Sequence, residues 1–228
     1  MEFFGFQPTL FQFLEELADN NNRTWFQENK RRYEDEVLDP SRAFIRGFEP
    51  RLKKISPFFV ASDRRVGGSL MRVYRDTRFS KDKSPYKTNV GMQFRHELGR
   101  AVHAPGFYVH LAPGECFLGV GLWRPDAPAL CQIRQAIVDD GARWRRASRD
   151  KRFRTYFELS GDSLKRAPRG FSEDDPRIED LKRIDFVGFC PLTEKQVLDK
   201  RFLDRVATLF AASRPFMRFV CEAIRVPF

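Results

Sequence analysis

Two alternating stretches, Gly106–Ala112 and Glu115–Trp123, flank the dipeptide Pro113-Gly114. Alternation puts every second side chain on one face of a strand, and a two-residue connection of this kind folds the second strand back against the first. In that register Phe107, Val109 and Leu111 share a face with Cys116, Leu118 and Val120, while Tyr108 and His110 face the other way, opposite Gly119 and Phe117. Upstream, Val90, Met92, Phe94 and His96 alternate with Gly91, Gln93 and Arg95. Ser69–Asp76 also alternates, with Met71 and Val73 against Leu70, Arg72 and Tyr74. The middle of the chain is therefore expected to be an antiparallel meander of about four strands.

The flanking thirds carry helical periodicity. Leu10, Phe13, Leu14 and Leu17 form one stripe, broken at Asn20-Asn21-Asn22, where an Asn can cap the next helix. Trp25, Phe26, Tyr33 and Val37 follow. Asp39-Pro40-Ser41 opens a third helix with Phe44 or Ile45, Phe48, Leu52 and Ile55, which Pro50 should kink or split. After the strands, Leu130, Ile133 and Ile137 have helical spacing, and Phe153, Tyr156 and Phe157 lie on a basic helix. Residues 160–185 read as loops, and Phe186–Cys190 as a further strand. Phe202, Val206, Leu209 and Phe210 make a helix, and Pro215 starts the last. The expected fold is α+β, one domain over residues 1–228. A mainly antiparallel sheet (about 68–123, with 186–190 a candidate addition) carries the N- and C-terminal helices on one face.

A chain of 228 residues with 24 Phe can bury a core without disulfides or metal. Its cysteines, Cys116, Cys131, Cys190 and Cys221, form no Cys-x-x-Cys pair, and Cys116 and Cys131 fall in core-like patterns. Buried free thiols of a reducing compartment fit best. No apolar run approaches the roughly 18 residues of a membrane helix. Met1–Phe6 lacks the basic region of a secretory signal. A cytoplasmic protein without a membrane partner is expected.

Charge is the strongest functional pointer. The net +10 resides in two segments: Arg72–Lys87, with six basic and two acidic residues, and Arg143–Arg154, with seven basic and one acidic. The rest, 28 basic and 28 acidic residues, is neutral. Such confinement suggests an anionic partner. Arg offers planar two-pronged donors for phosphate or carboxylate oxygens, and Lys adds a mobile charge. Arg72, Arg75, Arg78, Lys81, Lys83 and Lys87 are the candidate ligands, with Tyr86 as a donor or stacking wall and Ser80 and Ser84 as further donors. Asp76, among three arginines, is the catalytic candidate. It would orient guanidinium groups or hold a divalent metal beside a phosphate, although no cluster of ligands accompanies it. The plainer alternative is a solvated loop with ion pairs, Asp76 with Arg75 or Arg78 and Asp82 with Lys83, of little energetic weight.

The pattern Arg72-x-x-Arg75-Asp76-x-Arg78-Phe79, then Asp82-Lys83-x-x-Tyr86, resembles the signature of a widespread bacterial family of conserved hypothetical proteins, a domain of unknown function. The resemblance extends to Asn20–Phe26, to Gly106–Leu111 with Pro113-Gly114 and Phe117, and to Leu164–Phe171. Where that family continues Asp-His-Pro, this chain reads Asp174-Asp175-Pro176. The resemblance implies no activity.

The second basic cluster reads either as phosphate contacts for nucleic acid, with Trp144 stacking on a base, or as an exposed helix whose aromatics dock on the core while its arginines snorkel. The second is favoured, because no nucleic-acid-binding signature accompanies the charge. His96, His103 and His110 recur every seven residues, and Tyr108 with His110 is the candidate pocket, opposite Gly119-Val120-Gly121. Nucleophile elbows, phosphate-binding glycine loops and zinc motifs are absent from the sequence. The function expected is binding of an anionic, phosphate-bearing small molecule through Arg72–Lys87. The alternatives are a nucleic-acid-binding protein using both clusters and a structural or protein-interaction module with no ligand.

Overall fold

The computed structural model describes residues 2–99 and 104–228. Helices α1 (Thr9–Asp19) and α2 (Arg23–Glu28) lead through the single turn α3 (Lys30–Arg32) and a π-helical stretch, Tyr33–Leu38, into α4 (Asp39–Ile55). Strands β1 (Phe59–Val60), β2 (Val90–His96), β3 (Gly106–Ala112) and β4 (Glu115–Leu122) come next. Then follow α5 (Ala127–Asp139), α6 (Gly141–Ser148), α7 (Lys151–Tyr156), β5 (Glu158–Ser160) and α8 (Ile178–Leu181). The chain closes with β6 (Phe186–Leu192), α9 (Glu194–Val197), α10 (Phe202–Ala212) and α11 (Arg214–Ala223).

The six strands form one antiparallel sheet in the order β1-β2-β3-β4-β6-β5. The central hairpin has the register that its alternation requires: Val109 faces Leu118, and Ala112 faces Glu115 across Pro113-Gly114. Gly114 sits at φ +71, a left-handed conformation that any side chain would strain. Phe186–Leu192 is a strand and pairs beside β4, one place in from the sheet edge. One face of the sheet is the core. Phe94 packs on Phe48 of α4, Phe107 on Phe210 of α10, and Phe186 on Trp144 of α6. Helices from both ends of the chain thus meet on that face.

Two expectations fail and one of the alternatives at Pro50 is excluded, for identifiable reasons. Ser69–Asp76 is not a regular strand. Its first part pairs with β2, Met71 N–H donating to the Gly91 carbonyl at 2.9 Å; its second part pairs with its own return, Arg75 N–H donating to the Pro85 carbonyl at 2.9 Å. Changing partner midway leaves neither ladder long enough, and Pro85 has no N–H to give back. Pro50 does not split α4. Pro50 withholds a single helical N–H, and Phe44, Ile45, Phe48, Leu52 and Ile55 on both sides of it are buried in the core, which holds the helix continuous. Cys131 is exposed, whereas Cys116, Cys190 and Cys221 are buried, and all four are free thiols. In α5 the core positions are Ala129, Ile133 and Ile137, which turn residue 131 outward.

Candidate functional site

The basic loop stands on a short ladder, residues 73–75 against 85–87, closed by the Lys87 N–H to the Val73 carbonyl at 2.8 Å. Asn22 caps α2 by accepting the Trp25 N–H at 3.0 Å, which leaves the Asn21 amide for another task. Asn21 donates to the Tyr86 carbonyl at 3.0 Å and accepts the Tyr86 N–H at 3.1 Å, as a neighbouring strand would. The Tyr86 ring stacks on Phe26 with centroids 4.0 Å apart and planes at 18°, and Tyr74 lies against its other side at 5.5 Å. At 2% exposure, Tyr86 is committed to the core and is no free stacking wall.

Within the loop the acids are taken. Asp76 accepts Arg78 Nε at 2.9 Å and Nη2 at 2.7 Å, and Arg78 lies over the ring of Phe79. Asp82 accepts the Ser84 hydroxyl at 2.6 Å and the Ser84 N–H at 2.8 Å, and pairs with Arg75. Lys83 instead donates to the Thr77 carbonyl at 2.9 Å, so Asp82 takes Arg75 in place of its sequence neighbour. The Arg78 contacts hold the Asp76 carboxyl below the usual range, and the Ser84 hydroxyl followed by Arg75 does the same, more strongly, for Asp82. Their contribution to loop order is complete above the ordinary carboxylate value of about 3.9 and is lost as pH falls through the depressed folded values. An NMR titration of the Ser84 amide should therefore stay flat down to about pH 4 and inflect only below it.

Behind this stapled loop lies a cleft of about 330 Å³. One wall is the end of α1, with Ala18 and Asn21; the other is Arg75, Asp82, Ser84, Tyr86 and Lys87, continuing to Thr88 and Asn89. Asp82 balances Arg75, so the net charge of the cleft rests on Lys87. The Lys87 amine is half-buried and has no hydrogen bond or ion pair among the described residues. Burial, and then the nearby Arg72 charge, push its pKa down. Arg72 is exposed and makes no ion pair among the described residues, although its charge also acts on Asp76. Arg78, Lys81 and Lys83 are exposed and do not line the cleft. Thus Arg75, Tyr86 and Lys87 come together, with Arg72 acting on Lys87 through its charge. Asn21, Thr88 and Asn89 join them, and only Asn21 had a sequence signal, an Asn run with one capping site to fill.

The other candidates lie elsewhere. The Tyr108 hydroxyl and His110 Nδ1 share a hydrogen bond of 3.0 Å on the sheet face away from the helices, its direction set by the imidazole tautomer, and His110 stacks on Phe117 at 4.6 Å. Burial, with Glu115 adding to it, pushes Tyr108 up to about 12; burial, opposed by Glu115, lowers His110, so both are neutral at pH 7. His96 is buried, accepting the Leu98 N–H at 3.1 Å on Nδ1, which leaves Nε2–H to donate to the Pro227 carbonyl at 2.9 Å. His103 lies outside the described residues. Asp175 grips Arg177 through both oxygens, at 2.8 and 2.9 Å, and Arg177 caps the end of α5 on the Ile137 and Val138 carbonyls. Trp144 is buried between Phe186 and Phe219 and presents no ring for a base. No group of three or more metal-ligating side chains occurs among the described residues, and no helix among them is long and apolar enough to cross a membrane.

No curated protein and no solved structure matches the chain. A family model does, over residues 9–219, a span that takes in the cleft, the basic loop and the whole sheet. The chain belongs to the family of conserved hypothetical proteins DUF2461.

Proposed function

We propose that the protein binds a phosphate-bearing small anion in the cleft between α1 and the basic loop, with Lys87 as the central ligand. The observation that carries this reading is the state of Lys87: a half-buried amine beside a second cation, with no acid to balance it. Burying a charge without a partner is costly, and an anion arriving there removes the cost. Thr88 and Asn89 line the same space and offer hydrogen bonds to its oxygens. Arg75, already held by Asp82, orders the wall and adds a donor edge. Asp76 is committed to Arg78 and serves the loop. Two of the segments that carry the family resemblance, Asn20–Phe26 and Arg72–Tyr86, meet at the Asn21–Tyr86 hydrogen bonds, which supports placing the function here.

Saturating phosphate should raise the melting temperature, since a ligand at a hundred times its Kd stabilises the folded state by about 2.7 kcal/mol. Lys87→Gln should remove most of this effect, and Lys81→Gln should not. Equal stabilisation of both variants would refute the assignment of Lys87. Sulfate keeps one charge across the alkaline range, so it isolates the lysine: affinity should be full below the free-state pKa of Lys87 and disappear as pH rises through its bound-state value.

A further inference from the structure

Between α6 and α11 lies a second cleft, of about 400 Å³, lined by four arginines and one acid. Arg143 and Arg146 come from one face of α6, Arg214 and Arg218 from one face of α11, each pair three or four residues apart. The acid is Asp150, whose carboxylate is engaged in capping α7 on the Phe153 N–H at 3.0 Å. Arg143 is paired with Glu222. The other three guanidinium groups have no carboxylate partner among the described residues. Arg214 donates to the Lys54 and Ile55 carbonyls at the end of α4, which fixes its position without neutralising it. Arg218 lies over the ring of Phe228 at 5.7 Å. Arg146 is exposed and makes no ion pair or hydrogen bond among the described residues.

Three guanidinium groups outnumber the one unpaired carboxylate of the cleft, Asp150, and an anion shared among them relieves the repulsion that remains. Guanidinium forks match phosphate oxygens two at a time. One orthophosphate has four oxygens, fewer than three two-pronged guanidinium groups can take in pairs. We propose that this cleft is a second anion site, separate from the Lys87 cleft, that takes a ligand with two or more adjacent phosphate groups. That chemistry has two sources, a small pyrophosphate-type molecule and a nucleic-acid backbone. The site draws on the basic run of α6 but is completed by Arg214 and Arg218, far along the chain on α11.

The test is calorimetric titration of the full chain at physiological ionic strength, in a Lys87→Gln background that silences the first cleft. Pyrophosphate and a single-stranded oligonucleotide are the two probes. Arg146→Gln and Arg218→Gln should each weaken binding roughly tenfold, the effect of losing one charge-assisted hydrogen bond. Arg145→Gln removes the same charge from the same helix outside the cleft and should leave affinity unchanged. Far-UV circular dichroism checks that each variant is folded. Pyrophosphate binding with this pattern supports the site with a small-molecule source. Oligonucleotide binding alone, with the same pattern, supports it with a polymeric source. Binding by neither probe, or equal losses for Arg145→Gln and Arg146→Gln, overturns it.

Discussion

Tyr86→Ala is expected to cost about 3–5 kcal/mol and to lower the melting temperature by roughly 10 °C, among the largest effects of any single substitution near the cleft. The ring is 2% exposed and stacks on Phe26 of α2, so its loss opens a cavity between the N-terminal helices and the base of the loop. The aromatic pair contributes about 0.5–1.5 kcal/mol beyond its buried area. The backbone clamp from Asn21 also loosens, because the side chain that seats residue 86 is gone. Anion-induced stabilisation should vanish with it, since both walls of the cleft meet at this residue. Tyr86→Phe keeps the stack and should melt near the parent. If Tyr86→Ala melted as the parent does, the loop would not be anchored by this packing.

Asp185→Ala should cost about 2–5 kcal/mol, the loss of two charge-assisted hydrogen bonds from part-buried backbone N–H groups. Asp185 is 2% exposed and has no cationic partner among the described residues. Its Oδ1 accepts the Arg124 N–H at 2.7 Å and its Oδ2 the Asp162 N–H at 3.0 Å. One side chain thus ties the turn after β4 to the turn after β5, immediately before β6 begins. Arg124 is held at φ +48, and this hydrogen bond helps to keep a non-glycine residue there. Gly161 closes the site, because a Cβ on it would lie 2.4 Å from Asp185 Cβ. Asp185→Asn keeps one acceptor but points an amide at the other N–H, so it should fall between parent and alanine in chemical denaturation.

The sheet was legible where pairing is local. Alternation through Pro113-Gly114 encodes the register of β3 and β4 within 17 consecutive residues. It was illegible where pairing is distant or brief. β1 and β5 have two and three residues, and Ser69–Asp76 alternates like a strand while dividing its hydrogen bonds between two partners. The same holds for the site. Charge density marked Arg72–Lys87, but which cations are free depends on Asp82 choosing Arg75 over Lys83. The opposing wall comes from Asn21, 65 residues from Tyr86. Tyr86 looked ligand-facing because it stands among polar residues, and the Tyr74–Tyr86 bridge turns it onto Phe26 instead. The basic run of α6 and α7 was visible as charge, yet its aromatics Trp144 and Phe153 are core.

That Lys87 is a half-buried cation awaiting an anion is tested most directly by titrating the lysine side chains by NMR with and without sulfate. Lys87 should titrate below the ordinary lysine value of about 10.4 in the free protein and move upward when sulfate is added, while Lys81 and Lys83 stay where they were. A Lys87 that titrates with the surface lysines and ignores sulfate would contradict it.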